Sequence, residues 1–204
     1  MIPLEFGCYY HIYNHANGED LLFREEKNYT FFLEKYHQHM DPVVETVAWC
    51  LMPNHFHLLV RIKNEEEIAR TFLKHRSFLK FETLEKLEKF DDQSKFISKQ
   101  FSNFFSCYTQ AFNKVYHRRG SLFLKNFKRK EITDDNYFRN LILYIHNNPF
   151  HHGFSIDFEK YPWPSYHSFI HQPSDYLVQY FDDVENYRHA HTTYHNTIEM
   201  EFEE

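Results

Sequence analysis

The chain has 204 residues, enough for one domain with an appendage and too few for two ordinary enzyme domains. Charged residues make up 25% and the apolar class 42%, which excludes a disordered chain, and four glycines (Gly7, Gly18, Gly120, Gly153) are too few and too scattered for a Gly-rich nucleotide loop. Aromatics reach 20%, more than a core of this size obviously needs.

Cys8, Cys50 and Cys107 form no C-x-x-C pair, so neither a disulfide framework nor a zinc ribbon is indicated, and a reducing compartment is expected. The uncharged run Thr46 to Val60 holds Pro53, Asn54, His55 and His57 and is too short and too polar to span a membrane. The opening MIPLEFGCYYHIYNH lacks the basic start and apolar core of a signal peptide. The expectation is a soluble cytoplasmic protein with no membrane partner. The net charge of -6 argues against a general nucleic-acid binder, but it hides a segregation. From Gln93 through Lys130 there is no acidic residue and there are nine basic ones, which leaves 14 basic against 29 acidic residues elsewhere. A basic patch on an acidic body binds phosphates at one face and repels them at others; the competing reading is a solvated helix face and a charged edge strand.

In chain order, Phe6 to Tyr13 reads as a strand, and Asn14 to Asp20 as a loop with an Asn-Gly turn signal. Tyr29, Phe32, Leu33 and Tyr36 give Glu25 to Met40 the spacing of an amphipathic helix, which Asp41-Pro42 stops. Val43 to Met52 and His55 to Ile62 read as a hairpin around Pro53-Asn54. Glu65 to Phe90 is a charged helical stretch, interrupted by Asp91-Asp92. Ser94 to His117 is a second helix, with Phe101, Phe104, Phe105, Tyr108, Phe112 and Val115 on one face. Ser121 to Ile132 reads as a strand at the basic edge of the sheet. Thr133-Asp134-Asp135 starts a last helix that Pro149 is expected to end. The order β-α-β-β-α-β-α matches the split βαβ pattern. The predicted fold is α+β, ferredoxin-like (RRM-like), with about four antiparallel strands and helices on one face, plus a helical insertion and a C-terminal extension.

On a strand, His55 and His57 stand at i, i+2 and point to the same side, with Phe56 opposite, so the two imidazoles suit a divalent metal. With 16 histidines in the chain, chance H-x-H pairs are expected. His37 and His39 are discounted because they diverge on a helix, and nothing recommends His189, His191 and His195 in the acidic tail. On the last helix Tyr144 and Asn148 are i, i+4 and share a face; on spacing alone Tyr144 reads as an amphipathic core tyrosine.

The segments CLMPNHFHLLVRI, HRRGSLFLKNFKRKEI, NLILYIHNNPFHHG and YPWPSYHSF, in that order and preceded by YHIYNHANGE, resemble the single-tyrosine HUH transposases, in particular their REP-associated branch. Each motif is modest alone; the ordered set, from about Tyr9 to Phe169, is specific. The resemblance implies that His55 and His57 are metal ligands and Tyr144 the nucleophile, with Asn148 in the place of a third, amide-bearing ligand where better-known relatives carry Gln. The usual W-S-S-Y stands here as Trp163-Pro164-Ser165-Tyr166, and the stretch after Ile62 is enlarged. It implies residues 1–169 as a catalytic domain, an insertion at about 64–92, and an acidic extension of unknown role at 170–204.

The implied reaction is transesterification of single-stranded DNA beside a stem-loop. The tyrosine hydroxyl forms a 5′-phosphotyrosine linkage that conserves the phosphodiester energy for rejoining, with Mg²⁺ or Mn²⁺ as cofactor. Arg118, Arg119, Lys125, Lys128, Arg129 and Lys130 would contact the hairpin backbone, and surplus aromatics would stack on unpaired bases. The resemblance allows a homodimer and implies a bacterial, nucleoid-associated location. Three alternatives stand beside it. A non-catalytic nucleic-acid binder on the same fold would not need His55, His57 and Tyr144 together. A water-using phosphoesterase would want carboxylate ligands near the histidines. A relaxase or replication initiator often carries two tyrosines and a different motif order.

Overall fold

A computed structural model describes residues 2–74 and 93–195. Four strands, β1 (Tyr9–His15), β2 (Val44–Met52), β3 (His55–Ile62) and β4 (Lys128–Ile132), form an antiparallel sheet in the order β2-β3-β1-β4. Helices α1 (Glu26–Met40) and α3 (Gln93–Val115) complete the split βαβ unit, and α2 (Glu65–Lys74) follows β3. After β4 come α4 (Asp135–His151), a short 3-10 turn at Phe158–Lys160, α5 (Tyr166–His171), α6 (Asp175–Phe181) and α7 (Val184–His195). The α+β, ferredoxin-like reading with four antiparallel strands holds, but helices lie on both faces of the sheet and not on one as expected, because α4 and the helices after it bury a second apolar face. The second part of the predicted charged helix, 75–92, and the acidic end, 196–204, lie outside the described residues.

The sheet is covered on both faces. α1 and α3 pack together on one, against Tyr10 and Ile12 of β1 and Phe56, Leu58 and Val60 of β3. α4 and the helices after it pack on the other, against Ala48, Cys50 and Met52 of β2 and Leu59 of β3. Two cores explain the aromatic content. On the first face Phe32 touches Phe23, Phe56, Phe104 and Tyr108 with ring centroids 4.9–5.4 Å apart. On the second, Tyr166, Phe169, Phe181 and Tyr187 do the same work.

A β-bulge between Thr46 and Ala48 lets β2 serve both cores. A strict period of two would put 44, 46, 48, 50 and 52 on one side. The extra residue inverts the alternation. Val44 and Thr46 then face α1, where Thr46 Oγ1 meets Tyr36 Oη at 2.7 Å, while Ala48, Cys50 and Met52 face α4.

Two boundaries differ from the sequence expectation. The strand predicted from Ser121 pairs as β4 only from Lys128, apart from a single bridge between Ala16 and Phe123. Asn126 takes φ +67, a left-handed conformation that a continuous strand excludes. α4 runs past Pro149 to His151. Pro149 costs the helix the hydrogen bond its N–H would have given to the carbonyl four residues back, yet the helix continues, and the stop is set by Gly153 at φ +69. The Gly153 N–H donates to the Phe150 carbonyl (3.0 Å) and the Phe154 N–H to the Pro149 carbonyl (2.8 Å), the two bonds of a Schellman cap. At the other end Asp134 accepts from the Tyr137 N–H at 2.7 Å. The extra turn keeps His152 in line with Tyr144 and Asn148.

Candidate active site

The site lies where the front of α4 meets β1 and β3. Register pairs Tyr13 with His57 and His15 with His55. Alternation then sends His11, Tyr13, His15, His55 and His57 to the face that α4 covers. His55 and His57 are 1% and 0% exposed, with ring centroids 5.3 Å apart. His11 Nε2 lies 2.9 Å from His57 Nδ1. Tyr13 stacks on His57 (5.4 Å) and His15 on His55 (4.6 Å). Asn54 Oδ1, at 2.7 Å, takes the Nδ1–H of His55.

Tyr144 stands edge-on to His57, centroids 5.5 Å apart and planes at 89°, and is 6.1 Å from His11. Two turns along α4, His152 lies 4.6 Å from His55. Asn148 sits between them on the same stripe, so the helix presents it to the His55–His57 pair. It is fully buried, and neither its Oδ1 nor its Nδ2 has a hydrogen-bond partner among the described residues. The structure thus brings His55, His57 and Tyr144 together and sets Asn148 one turn along the helix face that Tyr144 occupies.

Burial, and after it the neighbouring imidazoles of His11, His55, His15 and His152, pushes the His57 pKa well below its ordinary value. His57 is therefore neutral at pH 7, the form that can donate a lone pair to a metal. No group of three or more His, Cys, Asp or Glu side chains suited to a metal occurs among the described residues. Two imidazoles and a buried amide oxygen make a mixed donor set, borderline nitrogen with hard oxygen, that suits a divalent transition ion such as Mn²⁺ with positions left open.

His11, Tyr13, His15 and His152 were missed by sequence reasoning. The signal for the first three was the alternation Tyr9, His11, Tyr13, His15, whose meaning depends on pairing β1 with the H-x-H strand. His37 lies at the surface in the last turn of α1, where its Nδ1 is 3.1 Å from the Asp41 carboxylate. His191, set aside as a tail residue, is fully buried against α4.

The six basic residues do not form one patch. Lys130 and Lys128 pair across β1 with His11 and Tyr13, which puts both exposed side chains on the histidine face. Lys130 Nζ lies 4.6 Å over the Tyr137 ring of α4. Arg129 points to the opposite face, where Nη1 donates to Ser98 Oγ of α3 at 2.9 Å beside a cleft of about 420 Å³. Arg118 is held internally: it pairs with Asp20 and donates to Asn113 Oδ1 at 2.7 Å and to the Ser121 carbonyl at 2.9 Å. Arg119 and Lys125 are exposed.

No family model matches the chain. In sequence it is similar to a putative REP-associated tyrosine transposase of Haemophilus influenzae, 27% identical over 124 residues that cover 60% of this chain. The match spans 59% of that relative's length. In fold it is similar to a REP-associated tyrosine transposase solved with a REP hairpin, at a TM-score of 0.60 and 16% identity over 84% of each chain. No described helix is long and apolar enough to cross a membrane. Motif order, sequence similarity and fold point the same way: the chain is similar to REP-associated tyrosine transposases, in sequence over 60% of its length and in fold over 84%.

Proposed function

We propose that this chain is a transposase-like strand transferase that binds a DNA hairpin and cuts and rejoins the single strand beside it. The observation that carries this reading is the packing of Tyr144 against His57, with the buried Asn148 one turn further along the same face of α4. Hairpin binding rests on the similar protein solved with a REP hairpin and on Lys128 and Lys130 flanking the site face.

Tyr144 Oη attacks a backbone phosphorus. A P–O bond to tyrosine forms and the bond to the 3′-oxygen breaks; the phenol proton leaves and the 3′-oxygen takes one up. The strand's 5′-phosphate is then held on Tyr144. A later 3′-OH reverses the step, so no nucleotide is hydrolysed. His55, His57 and Asn148 would hold a Mg²⁺ or Mn²⁺ ion, which when bound polarises the phosphate and offsets its developing charge. The aromatic and imidazole walls orient the Tyr144 ring, and Lys128 and Lys130 draw the backbone to the face that carries it.

One observation favours a second reading, a hairpin binder without catalysis: Tyr144 is only 1% exposed, as a core tyrosine would be. The test uses hairpins from the DNA flanking the gene, with Mn²⁺, and looks for a denaturation-resistant adduct mapped by peptide mass. An adduct on Tyr144 that is lost in His57→Ala or with chelator supports strand transfer. Hairpin binding with no adduct in either metal overturns it in favour of the binder.

A further inference from the structure

We infer that the C-terminal helix α7 is a positioning element of the reaction centre: His191, acting through His146 and Ser165, sets the rotation of α4 and so where Tyr144 stands against His57. This rests on the reading of Tyr144 as nucleophile.

Behind α4 a buried chain of hydrogen bonds crosses four elements. The Trp49 N–H of β2 donates to Ser165 Oγ at 2.9 Å. Ser165 Oγ lies 2.8 Å from His146 Nε2. His146 Nδ1 lies 3.0 Å from both His191 Nε2 and Tyr187 Oη. His191 Nδ1 lies 2.8 Å from the Tyr187 carbonyl, and Tyr187 Oη donates to the Tyr166 carbonyl at 3.3 Å. Ser165, His146, His191 and Tyr187 are each 0% exposed.

A single proton arrangement satisfies every member. A carbonyl only accepts, so His191 Nδ1 carries hydrogen and its Nε2 accepts. His146 Nδ1 must then donate, and its Nε2 accepts from the Ser165 hydroxyl. Ser165 takes the Trp49 N–H on its oxygen. Both imidazoles are neutral and the bonds donate in one direction, from Trp49 of β2 through Ser165 and His146 to His191 of α7. Ser165 beside His146 has the spacing of a nucleophile and its base, but with no exposed surface it meets no substrate. The network joins parts of the fold.

What it joins decides its role. His146 follows Tyr144 by two residues, about 200° around the helix. Tyr144, Asn148 and His152 form the front of α4; His146 is the pin at its back. A roll of about 20° displaces a group 5–6 Å from the axis by about 2 Å. A misplacement of about 1 Å at a reacting group can cost roughly 100-fold in rate. Directional bonds from His146 to both α7 and the Ser165–Trp49 link resist that roll better than apolar packing alone.

The test uses the full chain. His191→Phe keeps the volume and removes both bonds; His191→Gln keeps an acceptor for His146. With saturating hairpin DNA and Mn²⁺, His191→Phe is expected to slow single-turnover adduct formation at least 10-fold. Its hairpin Kd should stay within twofold, and His191→Gln should recover most of the rate. The Tyr144 and His57 ring resonances should shift while those of Phe32 stay put. If His191→Phe does not fold, Ser165→Ala, which cuts the same chain at its other end, is expected to show the same split. A rate within twofold of wild type overturns the inference, as does a parallel loss of rate, binding and melting temperature without rescue by Gln. A wild-type chain that forms no adduct overturns the nucleophile reading instead, and the ring resonances then decide positioning: unmoved shifts in His191→Phe refute it, and moved shifts support it.

Discussion

Replacing Asn148 with leucine is expected to stabilise the metal-free protein while removing its response to Mn²⁺. The amide is 0% exposed, and neither Oδ1 nor Nδ2 meets a partner among the described residues. An unsatisfied buried polar group costs about 1–3 kcal/mol. Leucine branches at the same carbon, so it removes the polar atoms without leaving a hole. A gain of about 1–3 kcal/mol corresponds to a rise in melting temperature of about 2–12 °C for a chain of this size. Saturating Mn²⁺ acts oppositely on the wild type, which gains about 2.7 kcal/mol at 100-fold over Kd. The order of stability should therefore narrow or invert between chelator and Mn²⁺. Thermal or urea melts of both proteins in both conditions measure it. A variant that melts lower than wild type in chelator would refute the claim that the amide is unsatisfied. Equal Mn²⁺ shifts in the two proteins would refute its role as a ligand.

Other outcomes follow from the same geometry. His11→Phe removes the partner 2.9 Å from His57 Nδ1 and should weaken Mn²⁺ binding about 10–100-fold by calorimetry, with hairpin affinity within twofold; unchanged Mn²⁺ affinity would remove His11 from the site. Replacing Lys128 and Lys130 together by alanine should reduce the salt slope of hairpin binding by about 1.4–1.8, whereas Arg118→Ala should lower stability through the lost Asp20 pair and leave the slope unchanged. The opposite pattern in salt titrations would reassign the DNA face. Burial holds the His191 pKa down at about 3 against an ordinary 6.5. Below pH 6.5 the unfolded chain binds a proton that the folded one refuses, so this contribution is complete above 6.5 and falls by about 1.4 kcal/mol per pH unit towards 3. Urea melts at pH 6.5 and 5 should show about 2 kcal/mol less acid loss in His191→Phe than in wild type; identical losses would show that His191 titrates normally.

Local pattern carried much of this protein. The element order and the shared face of His55 and His57 follow from periods of 2 and 3.6, because alternation and helical stripes are properties of neighbouring residues. The pairing of Tyr144 with Asn148 is of the same kind. The end of α4 was misread at Pro149 because a local breaker signal lost to the Gly153 cap four residues on. Likewise the strand read from Ser121 is cut back by the left-handed Asn126, whose conformation a propensity pattern does not reveal.

What the chain alone could not show depends on register and on contacts between distant segments. His11 becomes a neighbour of His57 only once β1 is set antiparallel to β3 at one register, and a shift of one residue would send its imidazole to the other core. The bulge at Thr46 and Ala48 decides which side of β2 receives α4. The basic run divides because alternation on β4 separates Arg129 from Lys128 and Lys130 and because Asp20, 98 residues earlier, claims Arg118. His191, Ser165 and Trp49 are far apart in sequence and meet only through the packing of α4 and α7 on the second face of the sheet. The sequence by itself determined the elements and the chemistry available to them; tertiary structure decided which histidines share a site, since only long-range packing brings such donors within reach of one another.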